Sequence, residues 1–353
     1  RSTLYSVIPA RNIPPWGLKT GYKSVILENG LCRRGGVMDM GKYIRKRLLQ
    51  LIPILLAITL LSFAMMRAAG SDVVTQKMEN TGSVVSEEML AAARAELGLD
   101  RPFLVQYVSW LLNLLRGDMG KSYVTGKPVF TTFISKLPST LLLTAISILL
   151  TIVISIPLGV LAAVRQNRVT DYVIRFLSFI GNSMPNFFVA LLLMYLFAIK
   201  RNIFPVISSD ISLKSVALPA ITLAIAMSAK YLRQVRATVL EELNKEYVNG
   251  AKARGIPFSV TLWKSILKAS FVTILTLLML SVGNLLGGTA IVESIFMWDG
   301  VGKMAVDAIS MRDYPMIQAY VMWMAIIYVV INLVTDISYR FLDPRIRLGG
   351  EDA

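Results

Sequence analysis

The sequence predicts an all-α membrane protein with six transmembrane helices and both termini in the cytoplasm. Three observations carry that prediction. The 353 residues are 55% hydrophobic with a mean hydropathy of +0.60, above the ~45–50% apolar share of a soluble domain. Six apolar runs carry no charge. The basic residues collect in the segments that alternate runs share, which the positive-inside rule assigns to the cytoplasm.

Residues 1–37 are rich in Gly, Pro and Arg and show no sustained periodicity. They read either as a non-native leader, since Arg33-Arg34-Gly35-Gly36 is what a translated ribosome-binding site encodes and Met38 or Met40 follows, or as a disordered tail. Residues 38–66 contain the cytoplasmic start and the first span: Lys42, Arg45, Lys46 and Arg47 precede the charge-free run Leu48 to Met66. About 20 such residues cross a bilayer, and no clean cleavage site marks a signal peptide. Residues 67–140 are polar enough to form an extracytoplasmic segment. Within it Glu87 to Glu96 is helical in pattern, and Phe103, Tyr107, Trp110, Leu111, Leu114 and Leu115 have the spacing of a helix lying along the membrane surface.

Residues 141–347 hold five further runs: Leu141 to Val164, Leu177 to Ile199, Val216 to Ala229, Ser270 to Val292 and Met316 to Thr335. The third of these, Val216 to Ala229, is short and must be extended through Ile211 to Ser215 or shielded inside the bundle. Pro157, Pro185 and Pro219 fall within runs and imply kinks or irregular backbone. Residues 348–353 form a cytoplasmic tail. The basic clusters before Leu48, at Arg165, Arg168 and Arg175, around Glu246, and at Arg340, Arg345 and Arg347 all fall on one side of this six-span reading; Lys200 to Lys214 is the exception.

Composition also excludes functions. Histidine is absent and Cys32 is the only cysteine, so a protein-built zinc, copper or nickel cage is not expected and an intrachain disulfide is impossible. The +15 formal charge flanks apolar runs, so its partner is the lipid bilayer and no nucleic acid is expected. No run has an ionisable residue in its middle, where ion-coupled pumps place one. There is no Walker A loop, HExxH or GxSxG, so neither ATP binding of that kind nor hydrolase chemistry is expected. Energy is expected to enter from outside the chain.

The loop at 230–269 is where it would enter. Leu232, Val235, Val239, Leu240 and Leu243 keep helical spacing past the apolar run, and a second short helix, Glu246 to Arg254, ends at Gly255 with Pro257 barring continuation. Turn chemistry alone leaves two readings open, a plain chain reversal or a docking knob. Other residues carry similarly divided readings. Glu293 reads as a solvated or ion-paired loop residue or as a pathway contact, and the methionines around Met304 to Met324 as packing or as a soft lining.

Tyr247, Val248, Ala251, Ala253 and Gly255 fit the pattern YVxxAxAxG, by which this segment resembles the membrane subunits of bacterial ABC importers, in the peptide and nickel branch. In the wider family signature Asn249 and Gly250 stand where E-A begins, and only Ala251, Gly255 and Leu267 match. The likeness extends through LGLDRP at Leu97 to Pro102, GDMGKSY at Gly117 to Tyr123, SMPNFF at Ser183 to Phe188, GGTAIVESIFMWDGVG at Gly287 to Gly302, RDYPMIQ at Arg312 to Gln318 and DPRIR at Asp343 to Arg347. Asp299 departs from it, standing where the branch has proline.

The resemblance implies a type I importer permease fold and a non-enzymatic transport subunit of the inner membrane. It implies ATPase coupling through Glu246, Tyr247, Val248, Asn249, Gly250, Ala251, Ala253, Arg254, Gly255 and Leu267. Pathway or gate candidates are Ser183, Met184, Pro185, Asn186, Asn284, Gly287, Gly288 and Glu293, and no metal-ligating residue is expected. The implied partners are a second homologous permease subunit, two ATPase subunits that bind ATP and Mg, and an extracytoplasmic solute-binding protein; this chain would hold no cofactor. Within the branch the motifs look most like the nickel permease, with dipeptide and oligopeptide permeases as the second reading. From a different class, a channel or secondary transporter without ATPases stays open.

Overall fold

A computed structural model describes residues 40–68, 100–207 and 211–342, together with residue 95. The leader, most of the Glu87 to Glu96 stretch and the DPRIR tail lie outside the described residues. The helices run in the order α1 Met40–Ala68, α2 Phe103–Leu115, α3 Val129–Val164, α4 Val169–Ser183, α5 Asn186–Leu193, α6 Leu213–Leu243, α7 Glu246–Ala253, α8 Phe258–Thr261, α9 Leu267–Gly288, α10 Ala290–Ile295, α11 Val301–Ser310 and α12 Tyr314–Leu342. A π-helical turn, Met194–Ile199, extends α5, and another, Leu262–Ile266, joins α8 to α9.

Five helical stretches are long and apolar enough to cross a membrane, and a sixth crossing exists if the bent pair α4–α5 counts as one span. The expected span Leu177 to Ile199 is therefore broken: its halves meet at 102°. Proline chemistry gives the reason, because Met184 before Pro185 is pushed out of the helical region to φ −83°, ψ 130°. Pro157 and Pro219 stay inside continuous helices, so of these three prolines Pro185 alone breaks its helix. The expected run Ser270 to Val292 likewise ends early, since α9 stops at Gly288 and α10 begins anew. The short run Val216 to Ala229 is both extended, starting at Leu213, and shielded, with 67% of its span window buried.

That shielding comes from α3. Thr140, Thr144, Ser147, Thr151, Ser155 and Gly159 recur every three or four residues and are buried, and small residues let helix backbones approach in a membrane. A Cβ at Gly159 would lie 2.7 Å from Val235 Cβ. The hydroxyls of Thr144, Ser147 and Thr151 donate to carbonyls one turn back, at 2.7–2.8 Å, so close packing leaves no stranded donor among these three. Helix α6 then runs through two apolar cores. One gathers Leu143, Val216, Leu223, Val292, Phe296 and Trp298 toward its start, and the other gathers Ala163, Tyr231, Val235, Val239, Ile266 and Ile274 toward its end.

Part of the stripe on α2 packs against α1. Tyr107 is buried, its hydroxyl is 3.0 Å from Thr59 Oγ1, and Phe103, Tyr107 and Trp110 surround the Phe63 ring. Leu115, expected on that stripe, is 76% exposed. The loop Gly117 to Tyr123 is tied to the start of α12 by Asp313, which accepts from Ser122 Oγ and, at 3.1 Å, from Tyr123 N. Two sequence motifs thus meet as one joint.

Candidate coupling and bend sites

Helix α6 ends at Leu243 and α7 begins at Glu246, with only Asn244 and Lys245 between them, so the chain turns without a long linker. Glu242, almost fully buried, accepts from Lys245 Nζ and from the Tyr247 hydroxyl at 2.9 Å, bracing that turn. Burial, with the Glu242 carboxylate beside it, pushes the Tyr247 hydroxyl up to about 12, so it remains a donor at neutral pH.

The end of α7 is a Schellman turn. Ile256 N donates to Ala251 O at 3.1 Å and Gly255 N to Lys252 O at 3.0 Å, with Gly255 at φ +71°. The expected helix Glu246 to Arg254 stops one residue sooner, because Arg254 is its cap. Proline at 257 then starts α8 as its N-cap.

The ten residues expected to form a coupling surface divide into two faces. Ala251 is buried, and Val248 and Leu267 are partly buried against the core that holds Val239 and Ile266. Glu246, Tyr247, Asn249, Ala253, Arg254 and Gly255 are exposed, and Gly250 is intermediate. Four exposed apolar side chains outside the expected set continue this outer face: Ile256, Phe258, Val260 and Trp263, the last 71% exposed. Their signal in the sequence is the persistence of bulky apolar residues in a basic segment beyond the capping glycine.

At the α4–α5 bend, Ser183 Oγ donates to Phe179 O at 2.8 Å, and Phe188 N and Val189 N close on Pro185 O. Ser183 and Pro185 are exposed while Met184 and Asn186 are intermediate. Asn284, Gly287 and Gly288 fall on α9, and only their backbone is described.

Glu293 corrects its reading as a solvated or ion-paired loop residue: it is fully buried, makes no ion pair among the described residues, and is surrounded by donors. Thr140 Oγ1 donates to Oε1 at 2.9 Å and Lys303 N to Oε2 at 2.9 Å, with the Thr289 hydroxyl and the Gly302 N–H also reaching it. Val301 N donates in turn to Thr140 Oγ1 at 2.8 Å. The carboxyl therefore occupies the N-terminus of α11, where free N–H groups accumulate, and pins it to α3 and α10. Burial pushes the carboxyl above its ordinary value despite those donors.

The glycines of the Gly300-Val301-Gly302 motif make room for it. A Cβ at Gly300 would run into the Glu293 carboxylate and the Thr140 hydroxyl, and one at Gly302 would lie 2.6 Å from Ala290 Cα. Asp299, in place of the branch's proline, leaves the turn intact: Trp298 is buried with its indole N–H donating to Ser139 O, Gly300 N closes on Trp298 O, and Asp299 itself pairs with Lys136.

Residues 155–348 match the family described as "Binding-protein-dependent transport system inner membrane component", and residues 40–144 match its N-terminal companion. The chain belongs to this binding-protein-dependent permease family. It is 39% identical over 317 residues to the oligopeptide transport system permease protein AppB of Bacillus subtilis, covering 87% of this chain and 99% of AppB. It is 35% identical over 302 residues to the nickel import system permease protein NikB of Staphylococcus aureus, covering 86% and 90%. Among solved structures, the MetNI methionine ABC transporter superposes with a TM-score of 0.50 at 15% identity, covering 60% of this chain and 96% of that one, a likeness that bears on the fold alone. The permease is thus a multi-pass inner-membrane component of an ABC import system, a transport subunit and not an enzyme. The identities do not single out nickel among the cargoes for which its relatives are named.

Proposed function

We propose that this permease forms half of an ATP-driven import pathway and receives its drive through the outer face of α7 and the α8 turn. The observation that carries the reading is the two-faced knob. A short helix, capped at Gly255 and anchored inward by Val248 and Ala251, leaves Tyr247, Asn249, Arg254, Phe258 and Trp263 exposed at the end of a 31-residue helix whose apolar half is packed inside the bundle. A push on such a rigid element is passed on as a rigid-body shift of packed helices. The partners on this reading are two ATPase subunits that bind ATP and Mg at the α7 end, a second homologous permease completing the pathway, and a solute-binding protein at the opposite end. This places the α7 end in the cytoplasm, in line with the basic loops.

For cargo, the nickel reading from the sequence motifs is kept, with the ion free or chelated. The identity to AppB favours a second reading, a dipeptide or oligopeptide. Among the described residues no group of three or more His, Cys, Asp or Glu could hold a metal ion, and a chelated ion needs no such group. The bend at Ser183 to Asn186 is the proposed gate, since its backbone is already broken there.

The test is reconstitution with the neighbouring-gene products, comparing ATP-dependent uptake of radioactive nickel, with and without a chelator, against a labelled dipeptide. Uptake that proceeds without ATPases would overturn the importer reading in favour of a channel or secondary transporter. Uptake of dipeptide alone would replace nickel by peptide.

A further inference from the structure

Helices α4 and α6 are joined at three levels. At the first, Asp171, fully buried, accepts from Arg236 Nε at 2.7 Å and Arg236 Nη2 at 2.8 Å, a bidentate fork. Arg175 lies 3.4 Å away, and Asn167 N donates to the same carboxylate at 3.0 Å, in a turn where Asn167 has φ +59°. At the second, Ser178 Oγ donates to Ala229 O. At the third, Gly181 packs so closely that a Cβ would lie 3.1 Å from Ala229 Cβ. Asp171 and Arg236 stand apart from the other two contacts because they are charged, are 65 residues apart in sequence and are held in a planar two-bond geometry that resists both sliding and rotation.

Arg236 lies on α6 ten residues before Glu246, the first residue of α7, and α6 is unbroken between it and Leu243. Asp171 lies on the first turn of α4, whose other end is the bend at Met184–Pro185. The fork is therefore the fixed point between the knob and the bend. Buried ion pairs are often replaceable by apolar packing without loss of stability, so a pair at this position is better explained by registration of two helices than by stability.

Resting on the coupling role proposed for α7, we infer that Asp171 and Arg236 are positioning residues that make α4 move as one body with α6 and α7, carrying the ATP-driven shift of α7 to the Ser183–Asn186 bend.

The experiment uses the complete importer, with Cys32→Ser and other native cysteines removed, and spin labels at Val173→Cys on α4 and Lys252→Cys on α7, both exposed. The Val173–Lys252 distance is measured without nucleotide and with Mg-ATP and vanadate, alongside uptake of labelled nickel and labelled dipeptide per ATP hydrolysed. The wild type is expected to keep one narrow distance in both states. Asp171→Asn is expected to give a second or at least twofold broader distribution on nucleotide binding and a tenfold or greater fall in uptake per ATP. Arg236→Lys, which keeps the charge but loses the fork, is expected to fall between the two and serves as the decisive variant if Asp171→Asn does not assemble. The exchange Asp171→Arg with Arg236→Asp is expected to recover part of the loss. A distance that changes in the wild type, or one that stays narrow in the variant measured, overturns the inference. Ala251→Asp is run in parallel. If it uncouples while the fork variants do not, only the fork inference fails; if it too leaves uptake per ATP unchanged, the coupling reading itself fails.

Discussion

Glu293 shows how one side chain can organise the end of a bundle. Its carboxyl receives Thr140, Thr289 and two N–H groups of α11, and each donor left without it would cost about 1–3 kcal/mol. Glu293→Leu is accordingly expected to lower the melting temperature of the purified permease sharply, whereas Glu293→Gln, a neutral mimic of the protonated acid, is expected to stay close to wild type. The sign of the pH effect follows from the raised value. Stability contributed by this group is full below the ordinary carboxyl value of 4.5 and is lost as pH rises through the higher folded value. Melting curves across that interval should slope downward for the wild type relative to Glu293→Gln; parallel curves would contradict the assignment. At the other end, a Cβ placed on Gly255 would meet nothing within 4 Å, yet the residue sits at φ +71°, so its requirement is backbone alone, about 1–2 kcal/mol for an ordinary side chain. Gly255→Asn is expected to transport better than Gly255→Val, and Gly255→Arg, adding bulk to the outer face, to insert normally yet uncouple.

At the scale of elements, α7 is a two-faced helix, and its faces should fail differently. Ala251→Asp puts a charge at a buried position, where an unpaired carboxylate is heavily penalised; it is expected to displace the helix and abolish coupled uptake. Trp263→Ala removes an exposed ring and is expected to leave the melting temperature within about 1 °C of wild type while weakening co-purification of the ATPases, since exposed apolar patches of this kind mark partner contacts. Loss of stability without loss of ATPase binding in Trp263→Ala would assign the ring to lipid instead. Helix α7 is legible in the sequence because capping glycine, proline and amphipathic spacing are local signals. Its outer apolar extension is not, because exposure of Ile256, Phe258, Val260 and Trp263 depends on which way the α8 turn faces.

For the molecule as a whole, the apolar runs place the spans well wherever the chain is simply helical, as in α1, α3, α6 and α12. They fail at Met184–Pro185 and at Gly288–Thr289, because hydropathy averages over a window and does not register a change of direction inside it. Ser122 and Tyr123 stand in one motif and Asp313 in another, and nothing local links positions 190 residues apart into the joint they form. The fork of Asp171 and Arg236 is invisible in the sequence for the same reason, since the two residues stand 65 positions apart. Uptake is the measurement at this scale: ATP-dependent transport by the assembled system, and none by the permease alone, is the expected outcome.

The sequence by itself determined that this is a helical membrane protein with a capped short helix in a basic loop, because apolar length and capping chemistry are properties of short stretches; its likeness to importer permeases rests on motifs of the same local kind. Only the tertiary structure decided that Glu293 is a buried clasp on α11 and not a loop charge, that α4 and α5 bend by 102°, and that α4 is forked to α6. Each of these depends on which distant backbone comes within hydrogen-bonding reach, and that is set by how the helices pack.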